Sequence, residues 1–342
     1  PHRPAQSVTM VALPLARWCD MVLIDVCNGD ADGLFAVLQL RLAEPAPAQL
    51  VTGRKHEIAL LERVEPAPLA HITVCDISLD RNAKALARLL ESGASVRYFD
   101  HHSAKELVPH PALTTWIDPN PALCTSLIVD RYLGGRFPAW AAAAAWGDNL
   151  AASAEALADR IGLDTEARSA LRRLGESVNY NAYGDSDDDC LIAPARLYPK
   201  LARYRDPLDA IAGEPVLDEL ARRRDSDLEQ AFALNPWRDS ESGRIWLLPD
   251  AAWSRRVLGP FANLVANEDP ARAHAVARIR ADGALDISVR APLARRRGAD
   301  RLCGEFGGGG RAAAAAIEAM PPERFEAFVQ AFAAASWGER SD

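Results

Sequence analysis

Lysine is scarce. Of 39 basic residues only four are lysines, Lys55, Lys84, Lys105 and Lys200, a bias that a GC-rich genome explains as well as a preference for the guanidinium fork, so no function is drawn from it. Against 47 acidic residues they leave a net charge of −8, which excludes the global positive field of a protein that coats nucleic acid. Any polyanionic substrate must be held by local charge. The six cysteines (Cys19, Cys27, Cys75, Cys124, Cys190 and Cys303) are scattered through 342 residues with no C-x-x-C pair. That argues against a disulfide scaffold and against a thiolate zinc or iron–sulfur site, and makes a reducing cytoplasm the expectation. No apolar run approaches the roughly 20 residues of a membrane span. The first 20 residues lack the charged start, apolar centre and cleavage site of a signal peptide. Neither a serine nucleophile elbow nor a phosphate-binding P-loop occurs, so acyl transfer and nucleotide-driven motor work have no support.

What is present is an ordinary globular composition, 49% hydrophobic and 25% charged, long enough for about two domains. Residues 1–20 read poorly as structure and are left out of the fold. Over 21–150, short β-branched runs at 21–27, 49–52, 71–75 and 95–99 alternate with amphipathic stretches at 34–42 and 81–91, the pattern of a parallel sheet covered by helices. Residues 151–235 read as a helical connector, with 216–234 the longest helix and an acidic loop at 185–189. From 236 to 342 a smaller α/β pattern returns, with elements at 244–248, 255–267, 273–280 and 285–290, then a glycine run and two closing helices. The fold class is therefore α/β: a parallel-sheet N-terminal domain, a helical connector and a smaller α/β C-terminal domain, with the active site in the cleft between them. The lone histidines His56, His71, His110 and His274 read as structural. Trp116, Trp140 and Trp146 read as core.

Four clusters of hard ligands fall just after predicted strands: Asn28-Gly29-Asp30-Ala31-Asp32-Gly33, then Asp76, then Asp100-His101-His102, then Asp148 in Trp146-Gly147-Asp148-Asn149. Singly, each fits a helix cap or a turn. Together they lie where open α/β sheets bind ligands, at the carboxyl ends of the strands. Carboxylates crowded there repel one another unless a cation sits among them. Oxygen donors with one or two imidazoles suit Mn²⁺, Mg²⁺ or Zn²⁺, with Mn²⁺ the first choice. Two such ions roughly 3.5–4 Å apart acidify a water and stabilise the departing oxygen of a phosphoryl displacement, which makes phosphate ester hydrolysis the expected chemistry.

The series NGDADG, a lone Asp after a strand, DHH and a later GD resembles motifs one to four of the DHH phosphoesterase superfamily, whose members include nano-RNases and RecJ-type nucleases. The segment Gly304-Glu305-Phe306-Gly307-Gly308-Gly309-Gly310-Arg311 is similar to the glycine signature of the DHH-associated domain. The resemblance runs from Met21 to the C-terminus, with the helical middle matched only as a connector. It implies a bridging Asp76, with Asp30 on one metal and Asp32, His101 and Asp148 on the other. Asp100 orients the histidine pair, and His102 faces the substrate as general acid or neutralising cation. Many relatives carry a His four residues before the first motif-one Asp. Here that position is Val26, so one metal site lacks its nitrogen ligand, which argues against a pyrophosphatase.

The run Gly307 to Arg311 opens a predicted helix at Ala312, and Gly308, Gly309 and Gly310 would let a phosphate or base edge approach backbone N–H groups at that helix start. Arg311 stands where the resemblance expects His. Arg290 matches a Ser-x-Arg strand end that contacts substrate in relatives. Asn179-Tyr180-Asn181-Ala182-Tyr183-Gly184 reads as a packed turn whose rings could stack on bases. The leading expectation is a metal-dependent phosphoesterase for short oligonucleotides or small nucleotides. The family's processive single-strand exonucleases add a nucleic-acid domain that this sequence does not display, and stable duplex binding is not expected. A nucleotide-binding regulator with a degraded metal site, favoured by Val26 and Arg311, and a single-strand-specific exonuclease are the alternatives. Homo-oligomerisation is left open.

Overall fold

The computed structural model describes residues 22–104 and 109–338. The leader 1–20, Met21 and Lys105 lie outside them. Five strands, β1 (Leu23–Asn28), β2 (Gln49–Gly53), β3 (His71–Cys75), β4 (Ser95–Asp100) and β5 (Leu113–Ile117), form a parallel sheet in the order β2-β1-β3-β4-β5. The chain leaves β1 for β2 on one side and returns to β3 on the other. The crevice at the carboxyl ends of β1 and β3 is therefore the switch point where such sheets take ligands. Both faces are covered, which is why the strands are apolar almost throughout. Cys27, Cys75 and Phe99 pack beneath α1 (Ala31–Ala43), while Ile24, Val26, Ile72, Val74, Val96 and Tyr98 pack against α2 (Leu79–Glu91). Strand β5 escapes the sequence reading because it is an edge: its LTTWI side chains are half-buried or exposed, so the apolar signal is weak.

Seven helices follow: α3 (Thr125–Tyr132), α4 (Pro138–Gly147), α5 (Ala151–Arg160), α6 (Thr165–Asn181), α7 (Pro194–Leu201), α8 (Pro207–Gly213) and α9 (Pro215–Phe232). Residues as far as Leu220 belong to the same core as α1 and the parallel sheet. The alanine run Ala141 to Ala145 is completely buried in α4. Small side chains are required there, because a Cβ on Gly175 of α6 would stand 1.8 Å from the carbonyl oxygen of Ala143. A Cβ on Gly147 would meet the Gly175 carbonyl oxygen at 2.7 Å and the Ala31 methyl at 2.9 Å. Helices α4, α6 and α1 thus meet backbone to backbone.

A second sheet follows: β6 (Arg238–Asp239), β7 (Gly243–Leu248), β8 (Ala273–Ile279), β9 (Leu285–Arg290), β10 (Gly309–Arg311) and β11 (Ala314–Met320). It is ordered β10-β11-β9-β8-β7-β6, and only the β7–β8 pair is parallel. On one face lie α10 (Ala252–Glu268) and the inner ends of α6 and α9, through Tyr180, Leu228 and Ala231. On the other lie α11 (Ala299–Glu305) and α12 (Phe325–Ala334). The expected helix at Ala312 is instead strand β11, and only one of the closing helices, α12, follows the glycines. Alanine favours a helix in isolation, but antiparallel pairing of Ala314 to Ile317 with Ile287 to Arg290 overrides that preference. Among the described residues no helix is long and apolar enough to cross a membrane.

Gly175→Ala forces α4 and α6 apart and is expected to lower stability by about 1–3 kcal/mol, the usual cost of overpacking. Urea unfolding checks it: a midpoint unchanged from the wild type would mean that the helices have slack.

Candidate metal centre

Asp30 is the N-cap of α1, its Oδ1 accepting the Gly33 N–H at 3.1 Å. Two residues on, Asp32 points from the first turn of α1 into the N-terminus of α3. Its Oδ2 accepts Thr125 N–H and its Oδ1 accepts Ser126 N–H, both at 2.7 Å. The same helix start orients Asp76, whose Oδ1 accepts the Thr125 hydroxyl at 3.3 Å. Asp76 follows β3 with φ of 57°, a left-handed conformation rare for a residue with a side chain. Such an outlier at a switch point directs attention to function.

Asp100 ends β4 and is fully buried. Its Oδ1 accepts the His101 N–H at 2.9 Å and faces His102 Nδ1 at 2.7 Å, while its Oδ2 is buried without a hydrogen-bond partner. His101 Nδ1 lies 2.9 Å from the carbonyl oxygen of Leu123. A carbonyl only accepts, so the proton sits on Nδ1 and the lone pair on Nε2, which faces Asp76 Oδ1 at 3.3 Å.

Asp148 reaches the rim from a helix end, not from the strand end expected of it. It is the C-cap of α4 in a Schellman turn: Leu150 N–H donates to Ala145 C=O, Asn149 N–H donates to Trp146 C=O, and Asn149 takes φ of 58°. The close approach at Gly147 lets this turn come down beside α1, and Asp148 Oδ2 lies 3.9 Å from His101.

Two overlapping sets of ligand atoms result, Asp32 with His101 and Asp148, and Asp76 with His101 and His102, each within 4.8 Å of one another. Asp30 belongs to neither. It is ion-paired with Lys55, which sequence reasoning passed over. Lysine scarcity and its place just beyond β2, at the same sheet rim, were the available signals. Asn179, assigned to a packed turn, also binds that ammonium, at 2.8 Å.

From the second sheet, Arg311 reaches His101 Nε2 at 3.4 Å and Asp148 Oδ2 at 3.9 Å. Arg290 bonds only neutral oxygens: Asn263 Oδ1 at 2.6 Å, Ser288 Oγ at 2.9 Å and the Val289 carbonyl at 3.0 Å. Gly309 and Gly310 belong to strand β10 and Gly307 and Gly308 lead into it, with the turn to β11 at Ala312 and Ala313, so the helix start invoked for them is absent. Gly308 and Gly310 are needed for the hairpin itself, since a Cβ would stand 2.2 Å from the Ala316 carbonyl oxygen and 2.5 Å from Ala315 Cα. Gly309 faces open space.

The electrostatics divide the carboxylates. Burial, then the charges of Asp32 and Asp30, push Asp76 well above the usual carboxyl range. Burial pushes Asp32 up as well, reinforced by Asp148 and Asp30 against the opposing pull of His101. Burial also acts to raise Asp30, but Lys55 outweighs it and holds that carboxyl below its ordinary value. Asp32 and Asp76 thus lack a compensating cation, and with Asp148 and His101, which only Arg311 approaches, they offer oxygen and imidazole donors that fit Mn²⁺ or Mg²⁺.

No family model and no curated protein matches the sequence. Solved structures do. A DHH-domain protein described as a member of the S1P family of ribosomal proteins superposes with a TM-score of 0.64 at 14% identity, covering 92% of this chain and 86% of that one. The chain has the DHH fold. A pGpG-specific phosphodiesterase from Vibrio cholerae gives a TM-score of 0.55 at 15% identity over 92% of this chain and 98% of its own. The exonuclease RecJ bound to manganese gives 0.52 at 22% identity over 91% and 89%. All three span both sheets and the helices between them, so the helical layer is part of the DHH architecture seen here.

A carboxyl held above its usual range in the folded state adds stability below the ordinary carboxylate range and loses it as pH rises through the raised value. Metal-free Asp76→Asn is therefore expected to melt above the wild type at pH 8, with the gap closing toward pH 4. Thermal melts in chelator check this, and a variant less stable than the wild type at pH 8 would contradict it.

Proposed function

We propose that the chain is a metal-dependent phosphoesterase that hydrolyses phosphodiester or phosphomonoester bonds of short oligonucleotides or small nucleotides. The observation that carries this reading is the meeting of Asp32, Asp76, His101 and Asp148 at one buried rim, with Arg311 arriving from the other sheet. Those four residues would hold a divalent ion, Mn²⁺ first among the candidates, which would supply an acidified water and neutralise phosphoryl charge.

The protein's own groups do the rest. Leu123 C=O fixes the tautomer of His101 so that its Nε2 lone pair faces inward. Asp100 holds His102 through Nδ1, leaving Nε2 of the half-buried ring to deliver a proton to the leaving oxygen. Arg311 and Arg290 bind non-bridging phosphoryl oxygens. Among the described residues Arg290 forms no ion pair, and burial lowers the pKa of its guanidinium, so an arriving anion meets an uncompensated charge. The hairpin bearing Arg311 stands over the rim, which favours a small nucleotide or a strand end over the middle of a long strand. The net charge of −8 points the same way. The fold likeness to a pGpG-specific phosphodiesterase and to RecJ is in keeping with this chemistry.

Turnover of a dinucleotide and of bis(p-nitrophenyl) phosphate, with Mn²⁺ and with chelator, tests the proposal. Both activities are expected to require metal and to vanish in Asp76→Ala. His102→Ala is expected to lose about 10²–10⁴-fold on the dinucleotide, the usual contribution of a general acid. It should lose far less on bis(p-nitrophenyl) phosphate, whose leaving group needs no proton. Dinucleotide binding without turnover would refute the hydrolase and indicate a sensor.

A further inference from the structure

Asp30 stands apart from the other rim carboxylates because both of its oxygens are engaged within the protein. Oδ1 accepts the Gly33 N–H, and Oδ2 accepts the Lys55 ammonium. That ammonium is held on several sides. It donates to Asn179 Oδ1 at 2.8 Å and lies 5.6 Å from the centre of the Tyr183 ring. Its backbone is pinned too: Lys55 N–H donates to Ala182 C=O at 2.9 Å, and Lys55 C=O accepts from the Asn28 side chain at 3.4 Å. The Asp30 side chain is 3% exposed and that of Lys55 24%. The lysine is thus a fixed cation built into the rim.

An ion seated between Asp30 and Asp76 would find few donors. Val26, on the strand leading to Asp30, is completely buried in the apolar core and offers no ligand atom. Asp30 would have to release a largely buried partner, and the ammonium and a divalent ion would then repel each other across a few ångströms of low-dielectric interior. The other position keeps Asp32, Asp76, His101 and Asp148. While Lys55 holds Asp30, the free donors serve one ion, and what remains beside Asp76 for a second is His102, whose other nitrogen Asp100 already holds.

We propose that Lys55 takes the place of one of the two metal ions, so that the centre combines a single divalent ion at Asp32, Asp76, His101 and Asp148 with a resident ammonium at Asp30. This rests on the phosphoesterase reading above. The ammonium supplies a second positive charge toward the phosphoryl group, and Asn179 keeps it aimed there.

Metal stoichiometry tests this without reference to turnover. The full chain, stripped of metal and titrated with Mn²⁺, is followed by isothermal calorimetry and by electron paramagnetic resonance. The wild type is expected to bind one Mn²⁺ per chain with the six-line spectrum of an isolated ion. In Lys55→Ala, bound Mn²⁺ is expected to double and an exchange-coupled signal to appear, while Lys55→Arg stays at one. Two ions in the wild type would overturn the proposal, as would a folded Lys55→Ala that still binds only one. If Lys55→Ala does not fold, the wild-type count alone decides. No Mn²⁺ bound to any of these proteins would instead bring down the metal-centre reading itself, a distinguishable failure.

Discussion

Like charge confined to a dry space governs this molecule. Asp30, Asp32, Asp76 and Asp100 lie at the carboxyl ends of adjacent strands with almost no solvent access, and Asp148 joins them from α4. Such a group is tolerable only if each member finds compensation, and each finds a different kind. Asp30 has an ammonium, Asp32 the start of α3, Asp76 a hydroxyl and an imidazole, and Asp100 a backbone amide and a second imidazole. What remains unbalanced is concentrated on Asp76 and Asp32, and that remainder is what a divalent ion answers.

The parts of this arrangement legible in the sequence are those fixed locally. A strand followed within a few residues by acids declares both the element and the direction of its side chains, so the rim could be assembled from β1, β3 and β4 without coordinates. The sequence places Lys55 just beyond β2 but does not show its pairing with Asp30, because a long flexible side chain reaches across strands and its spacing carries no period. Asp148 was recognised by kind but misplaced, since a helix end and a strand end look alike when followed by a turn. The β10–β11 hairpin is hidden in the sequence for the opposite reason. Its alanines favour helix strongly, and the strand that captures them lies more than 20 residues away in sequence.

The helices between the sheets bind the two halves of the protein to the same framework. On α6, Asn179 reaches the Lys55 ammonium while its neighbour Tyr180 donates to Asp227 at 2.6 Å and accepts from Arg256 of α10 at 2.8 Å. Consecutive residues of one helix therefore address the rim and the second sheet. Nearby, Asp189 and Asp185 of the acidic loop are taken by Arg255 and Arg278. A segment that looks in composition like a tether is a brace for the position of the second sheet.

The contact between Gly147 and Gly175 carries this furthest. One end of α4 bears Asp148, and its length is seated against α6 with no room for a methyl group. Any enlargement along that seam pushes α4 away from α6, and α4 carries the carboxylate that stands beside His101. Coordination and packing are thus judged through the same few atoms, and the plainness of the alanine run becomes a tolerance on where an oxygen must stand.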